Sequence, residues 1–203
     1  MPDPRVEILD KTVCYDGFFR IERYRLRHHL YRGGWSREIS RELFERGHAA
    51  AVLPYDPVRD EVVLVEQFRI GALGAPGDPW LMEIVAGIID KPEESPEAVA
   101  RREAVEEANC HLQELVHICE YFVSPGGTSE RISLFCGKVN ATGLGGIHGL
   151  AEEVEDIRVL VLPMAEAIAQ LQAGHIRSAA PIIALQWLQL NHQSLRARWG
   201  TQA

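Results

Sequence analysis

The segment 95–109 constrains this chain more than any other, because it carries a helix start, a helix stop and three carboxylates on one helical face. A serine hydroxyl at position 95 can cap an orphaned backbone N–H, and Pro96 at the first helical position gives up no hydrogen bond. Asn109 tolerates the left-handed backbone with which helices often end. Between these signals Glu103, Glu106 and Glu107 stand at i, i+3 and i+4, within a sector of roughly 100° at about 100° per residue. Val105 and Ala108 fall on the opposite side, so the pattern predicts an acidic face and a core face. Like charges held this close repel one another. A hard divalent cation, Mg²⁺ or Mn²⁺, is the simplest compensation.

Composition bounds the alternatives. With 203 residues, 46% of them hydrophobic, the chain can bury a proper core as one domain or as one domain plus an appendage. Its net charge of −8 argues against a nucleic-acid partner, which would select clustered positive charge. No apolar run approaches the ~18 residues of a membrane span, and 1–5 lack the apolar core of a signal peptide. The four cysteines form neither a C-x-x-C pair nor a zinc spacing and read as reduced thiols of a cytoplasmic protein. The eight histidines include no H-E-x-x-H; adjacent His28 and His29 would point to opposite faces of a strand. The glycine-rich run 143–149 lacks the Gly-Lys-Ser/Thr of a phosphate loop and reads as a flexible segment.

Apolar runs of strand length at 49–54, 62–68, 115–123, 132–139 and 157–162 are broken by Gly, Pro or Asp. Helical patterns cover 95–109, 164–173 and 179–192. This order predicts an α+β chain, or an α/β/α sandwich with a mixed sheet. The first 45 residues differ in character. Over 18–31, Phe19, Ile21, Tyr24 and Leu26 interleave with Arg20, Glu22, Arg23 and Arg25, as in a strand solvated on one face. A small antiparallel sheet of two or three strands is marginal alone. The expectation is therefore an N-terminal appendage over 1–45, a main domain over 46–203, and a homodimer with the appendage at its interface.

The run 87–110 resembles the Nudix box: Gly, five residues, Glu, seven residues, then Arg-Glu-apolar-x-Glu-Glu-x-Gly-apolar. Arg102-Glu103-Ala104-Val105-Glu106-Glu107 matches its second half. Two departures stand out: counting back from Arg102 the first glutamate is Glu94, one residue further from Gly87 than the motif has it, and Asn109 replaces the second glycine. The phrases at 44–50, 66–69 (Glu-Gln-Phe-Arg), 124–130 (Ser-Pro-Gly-Gly-Thr-Ser-Glu) and 149–156 (Gly-Leu-Ala-Glu-Glu-Val-Glu-Asp) are similar to the ADP-ribose pyrophosphatase branch of that family. The resemblance implies an α/β/α Nudix sandwich with a mixed sheet, preceded by a small N-terminal antiparallel sheet that takes part in a swapped dimer.

It also implies divalent-metal-dependent hydrolysis of ADP-ribose to AMP and ribose 5-phosphate. By the same resemblance Glu103, Glu106, Glu107, the Ala86 carbonyl and Glu155 form the metal cage, Arg102 orients the glutamates and Glu153 is the general base. Phe18 would stack on adenine; Arg41, Glu42, Arg46 and Arg69 would hold the nucleotide; Ile88, Ser124 and Glu130 would line the terminal ribose. By residue type alone, Phe18 reads as core, Arg41 and Arg69 as surface charges and 152–156 as an ordinary acidic loop. Two other functions compete: the same hydrolysis of another nucleoside diphosphate sugar such as GDP-mannose, and a non-catalytic ligand-binding regulator. The regulator predicts degraded carboxylates or an added basic segment, and the sequence has neither.

Overall fold

Strand β4 (Ala49–Asp56) is buried at all eight positions, which is why its sequence is a continuous apolar run and not an alternating one. Ala50 and Val52 face one core and Ala51, Leu53 and Tyr55 the other. The computed structural model describes residues 3–91, 93–150 and 154–200. Two compact units are present, Met1–His48 with Phe122–Arg131, and Ala49–Tyr121 with Ile132–Ala203.

The second unit is built on a sheet in the order β10-β11-β5-β4-β9-β8, formed by β10 (Gly146–His148), β11 (Ile157–Pro163), β5 (Glu61–Phe68), β4, β9 (Arg131–Lys138) and β8 (Leu115–Phe122). It is mixed: β4 runs parallel to β9 and antiparallel to β5. The β4/β5 ladder holds only Tyr55↔Val62 and Asp56↔Glu61. Pro54, which has no N–H to give, lies just outside it. Beyond that point the strands part, and each takes a short antiparallel partner: β6 (Trp80–Glu83) on β5 and β7 (Val85–Ile88) on β4. This split is where the candidate site forms.

Helix α1 (Pro96–Ala108) covers one sheet face through Val99, Ala100, Ala104 and Ala108, packed with Val63, Val65 and Val85. On the other face, α2 (Met164–Gln172) and α3 (Ala179–Trp199) pack Ala167, Ile168, Leu185 and Leu188 against Leu53, Leu64 and Leu134. The result is the expected α/β/α sandwich. Helix α3 continues well past the predicted stop at 192, because Leu195 and Trp199 are buried and Trp199 Nε1 donates to Glu114 at 3.1 Å. The 143–149 run is not wholly loop: its last part is β10, paired antiparallel with β11. No described helix is long and apolar enough to cross a membrane.

The first unit is an antiparallel sheet of β1 (Val6–Asp16), β2 (Arg20–His28) and β3 (Ile39–Glu45), joined by 122–131 through the Phe44 N–H, which donates to Gly127 O at 2.8 Å. The face assignment within β2 differs from the sequence expectation. Strict alternation puts Glu22, Tyr24 and Leu26 together and Ile21 with Arg23 and Arg25. Glu22, expected on the solvated face, is 2% exposed and meets Lys11 Nζ at 2.9 Å, Arg20 Nε at 2.8 Å and Tyr24 Oη at 2.8 Å. Three donors satisfy the carboxylate there.

Candidate active site

Helix α1 starts as its sequence dictates. Ser95 Oγ accepts from the Ala98 N–H at 3.2 Å, and Pro96 takes the first helical position. It stops at Asn109 with φ 51° and ψ 31°, left-handed. Asn109→Ala should cost about 1 kcal/mol, since a Cβ without a local amide disfavours that conformation; the urea unfolding midpoint measures it.

The acidic face is not opposite the core. Val105 is 40% exposed, whereas Glu107 is 3% exposed on the same side as Ala100, Ala104 and Ala108. Helical geometry explains the shift: Glu107 lies only about 20° from Ala100 and about 60° from Ala104, Glu103 about 40° further out, and Glu106 further still. Side-chain exposure follows that order, 15% for Glu103 and 29% for Glu106. The carboxylates step from the core to the surface.

Each has a definite partner. Glu107 Oε2 accepts from the Ala86 N–H on β7 at 3.1 Å. Arg102 Nη1 donates to Glu103 Oε1 at 2.8 Å and to Glu106 Oε2 at 2.9 Å, while its Nε reaches Glu94 Oε1 at 3.2 Å. Glu94 is therefore the glutamate that meets Arg102, across the extra loop residue. Gly87 follows Ala86, and any Cβ there would overlap the Cγ, Cδ and Oε1 of Glu103. The glycine provides room for the carboxylate.

Electrostatics mark the same group. Burial pushes the Glu107 carboxyl up to about 8, with the charges of Glu103 and Glu155 adding to the effect and the Ala86 N–H and Arg69 opposing it. Burial likewise lifts Glu103 to about 7, reinforced by Glu106 and Glu155 and opposed by Arg102. Glu155 Oε2 accepts from the Leu150 N–H at 3.2 Å, and Gly149, at φ 106°, leaves no room for a Cβ beside it. Among the described residues no three His, Cys, Asp or Glu side chains converge closely enough to enclose an ion, because Glu103 and Glu106 are turned onto Arg102. The donor chemistry nevertheless fits a hard divalent cation: all oxygen, and mutually repulsive carboxylates that are costly to ionise without one.

Arg69, just after β5, donates from Nε to Glu83 Oε2 at 2.7 Å. Ile88 is half-buried at the end of β7, opposite Ala49. Glu153, the expected general base, lies outside the described residues.

The first unit holds the remaining expected residues. Phe18 is 88% exposed, edge-on to Phe19, so it is not core. Arg46 lies over the Phe19 ring at 5.3 Å and 3.5 Å from Glu130 Oε1. Glu130 is 6% exposed. A recess of about 350 Å³ lies among Asp16, Phe18, Phe19, Arg20, Glu45 and Arg46. Arg41 and Glu42 are exposed on β3, and Ser124 is exposed at the turn where its carbonyl accepts from the Gly127 and Thr128 N–H groups. Sequence reasoning did not single out Glu83. It stands fourteen residues from Arg69, and only the β5/β6 pairing joins them.

The family model of the NUDIX domain matches residues 45–185, with the acidic helix inside the match. The chain belongs to the Nudix family. Among its Nudix relatives, the ADP-ribose pyrophosphatase of Escherichia coli (strain K12) is 53% identical over 194 residues, covering 96% of this chain and 92% of the relative. That of Haemophilus influenzae is 46% identical, covering 96% and 90%. A GDP-mannose pyrophosphatase of Salmonella typhimurium is 36% identical over 153 residues, covering 75% and 78%. A crystal structure of an ADP compounds hydrolase overlays with a TM-score of 0.70 over 96% of each chain, at 20% identity, and shares the fold.

Proposed function

We propose that this Nudix chain hydrolyses the pyrophosphate bond of ADP-ribose to AMP and ribose 5-phosphate, using a divalent cation at the acidic edge of α1. Glu107 carries the reading. A carboxylate 3% exposed and pushed up to about 8 is costly in a fold unless something bound compensates its charge. ADP-ribose is favoured over GDP-mannose because relatives named for it are more alike, 53% and 46% against 36%, and match more of the chain.

Glu103, Glu106, Glu107, Glu155 and the Ala86 carbonyl would hold the cation, Mg²⁺ with Mn²⁺ as substitute. When bound, it supplies charge neutralisation for the diphosphate oxygens and acidifies a water. Arg102 fixes Glu103 and Glu106 through charge-assisted hydrogen bonds. Glu153 is assigned the proton of the attacking water. Phe18 offers an exposed ring to adenine, and Arg41, Glu42, Arg46 and Arg69 are assigned to the nucleotide, arginine suiting phosphate through its planar fork. Ile88, Ser124 and Glu130 are assigned to the terminal ribose. The three-stranded sheet within 1–45, marginal alone, is assigned to the interface of a homodimer, with 46–203 as the hydrolase domain. Four cysteines without a disulfide suit the cytoplasm.

A panel of nucleoside diphosphate sugars, each hydrolysed with Mg²⁺ in ¹⁸O-labelled water and resolved by mass, tests this. ADP-ribose should give AMP and ribose 5-phosphate with the highest kcat/KM. A higher value for GDP-mannose would overturn the substrate assignment and keep the reaction class.

A further inference from the structure

We propose that Glu83 is a positioning residue that holds Arg69 in place for the substrate diphosphate; the inference rests on the functional reading above. Across the β5/β6 ladder Glu83 stands opposite Val65 and Trp80 opposite Phe68, and the Arg69 N–H donates to Pro79 O at 2.9 Å. Residues directly opposite in an antiparallel pair share a face. Glu83 therefore lies on the face of Val65, in the core beneath α1. Alternation along β5 puts Arg69 on that same face.

The pair is asymmetric. Glu83 is 14% exposed and Arg69 42%, and the 2.7 Å bond engages Nε, at the root of the guanidinium. Among the described residues no partner is seen for Nη1 or Nη2. A guanidinium anchored at Nε keeps its terminal N–H groups for an oxyanion.

Charge makes the anchor necessary. Arg69, Glu103 and Glu155 all lie within electrostatic reach of Glu107, so the Arg69 cation stands among three carboxylates. Without Glu83, a long flexible cation would be drawn onto those carboxylates, lost to the substrate and in competition with a metal ion. A fixed carboxylate on the neighbouring strand holds it away. The split of β4 from β5, which admits β6, is what brings Glu83 to this position.

The test is a double-mutant cycle of Arg69→Ala and Glu83→Gln, with kcat and KM for the best substrate of the panel and calorimetric binding of that substrate in EDTA. Glu83→Gln should raise KM about 5- to 10-fold with kcat within about 2-fold, and weaken metal-free binding similarly. In the Arg69→Ala background it should add less than about 2-fold. Glu83→Asp, which keeps the charge, should recover part of the loss. Independent, multiplying effects would overturn the inference, as would an unchanged KM for Glu83→Gln beside a raised one for Arg69→Ala; both leave the hydrolase reading intact. A wild-type protein that cleaves no diphosphate sugar would sink that reading and this inference together.

Discussion

Glu107→Gln should lower kcat by about 10³-fold, about 4 kcal/mol of barrier, while the metal-free protein stays folded. The side chain is buried, and glutamine keeps its shape and an oxygen for the Ala86 N–H, so little packing is lost. What disappears is the ability to ionise. In the folded chain Glu103 and Glu107 sit near 7 and 8, above the ordinary 4.5. Groups raised in this way contribute stability that is full below about 4.5 and is lost as pH rises through the folded values. Wild-type protein in EDTA should therefore lose stability between pH 5 and 9, and Glu107→Gln should lose less. Urea midpoints at several pH values, beside steady-state kinetics at pH 8 with Mg²⁺, measure both. A variant with kcat within tenfold of wild type would remove Glu107 from the reaction.

Gly87→Ala should cut turnover about 100-fold with a much smaller change in stability. The added methyl would occupy the space of the Glu103 carboxylate and its Cγ, so the side chain must leave its rotamer and its bond to Arg102. Glu103 is partly exposed and can swing outward, which limits the cost to about 1 kcal/mol, the low end for overpacking. On the proposed function Glu103 is a ligand of the cation, and its displacement would remove it from that group. The variant should need a much higher Mg²⁺ concentration for half-maximal rate, and an unchanged Mg²⁺ dependence would refute the role of Gly87.

Local signals proved legible wherever the physics is local. Ser95, Pro96 and Asn109 bound α1 because capping and left-handed backbone depend on a few adjacent residues. The apolar runs became β4, β5, β8, β9 and β11; the buried stretches of β4, β5 and β9 demand such runs, while β8 and β11 are only partly covered. Which face of α1 turns inward was less legible. Val105 is the larger apolar side chain, yet Ala100, Ala104 and Ala108 make the contact, since small residues let the helix approach the sheet. The alternation in β2 failed for a related reason: Glu22 is buried by donors from Lys11, Arg20 and Tyr24 that a hydrophobicity pattern does not register.

The sequence by itself determined the inventory: three carboxylates one turn apart, an arginine among them, a glycine ahead of them and the order of strands and helices. Only the tertiary structure decided their states. Burial against the sheet, more than spacing along the helix, separates Glu107 from Glu103 and Glu106 and raises its affinity for a proton. Only strand pairing could join Glu83 to Arg69, and only the packing of α1 on β7 could join Glu107 to Ala86, because hydrogen bonds across 14 and 21 positions leave no trace in local periodicity.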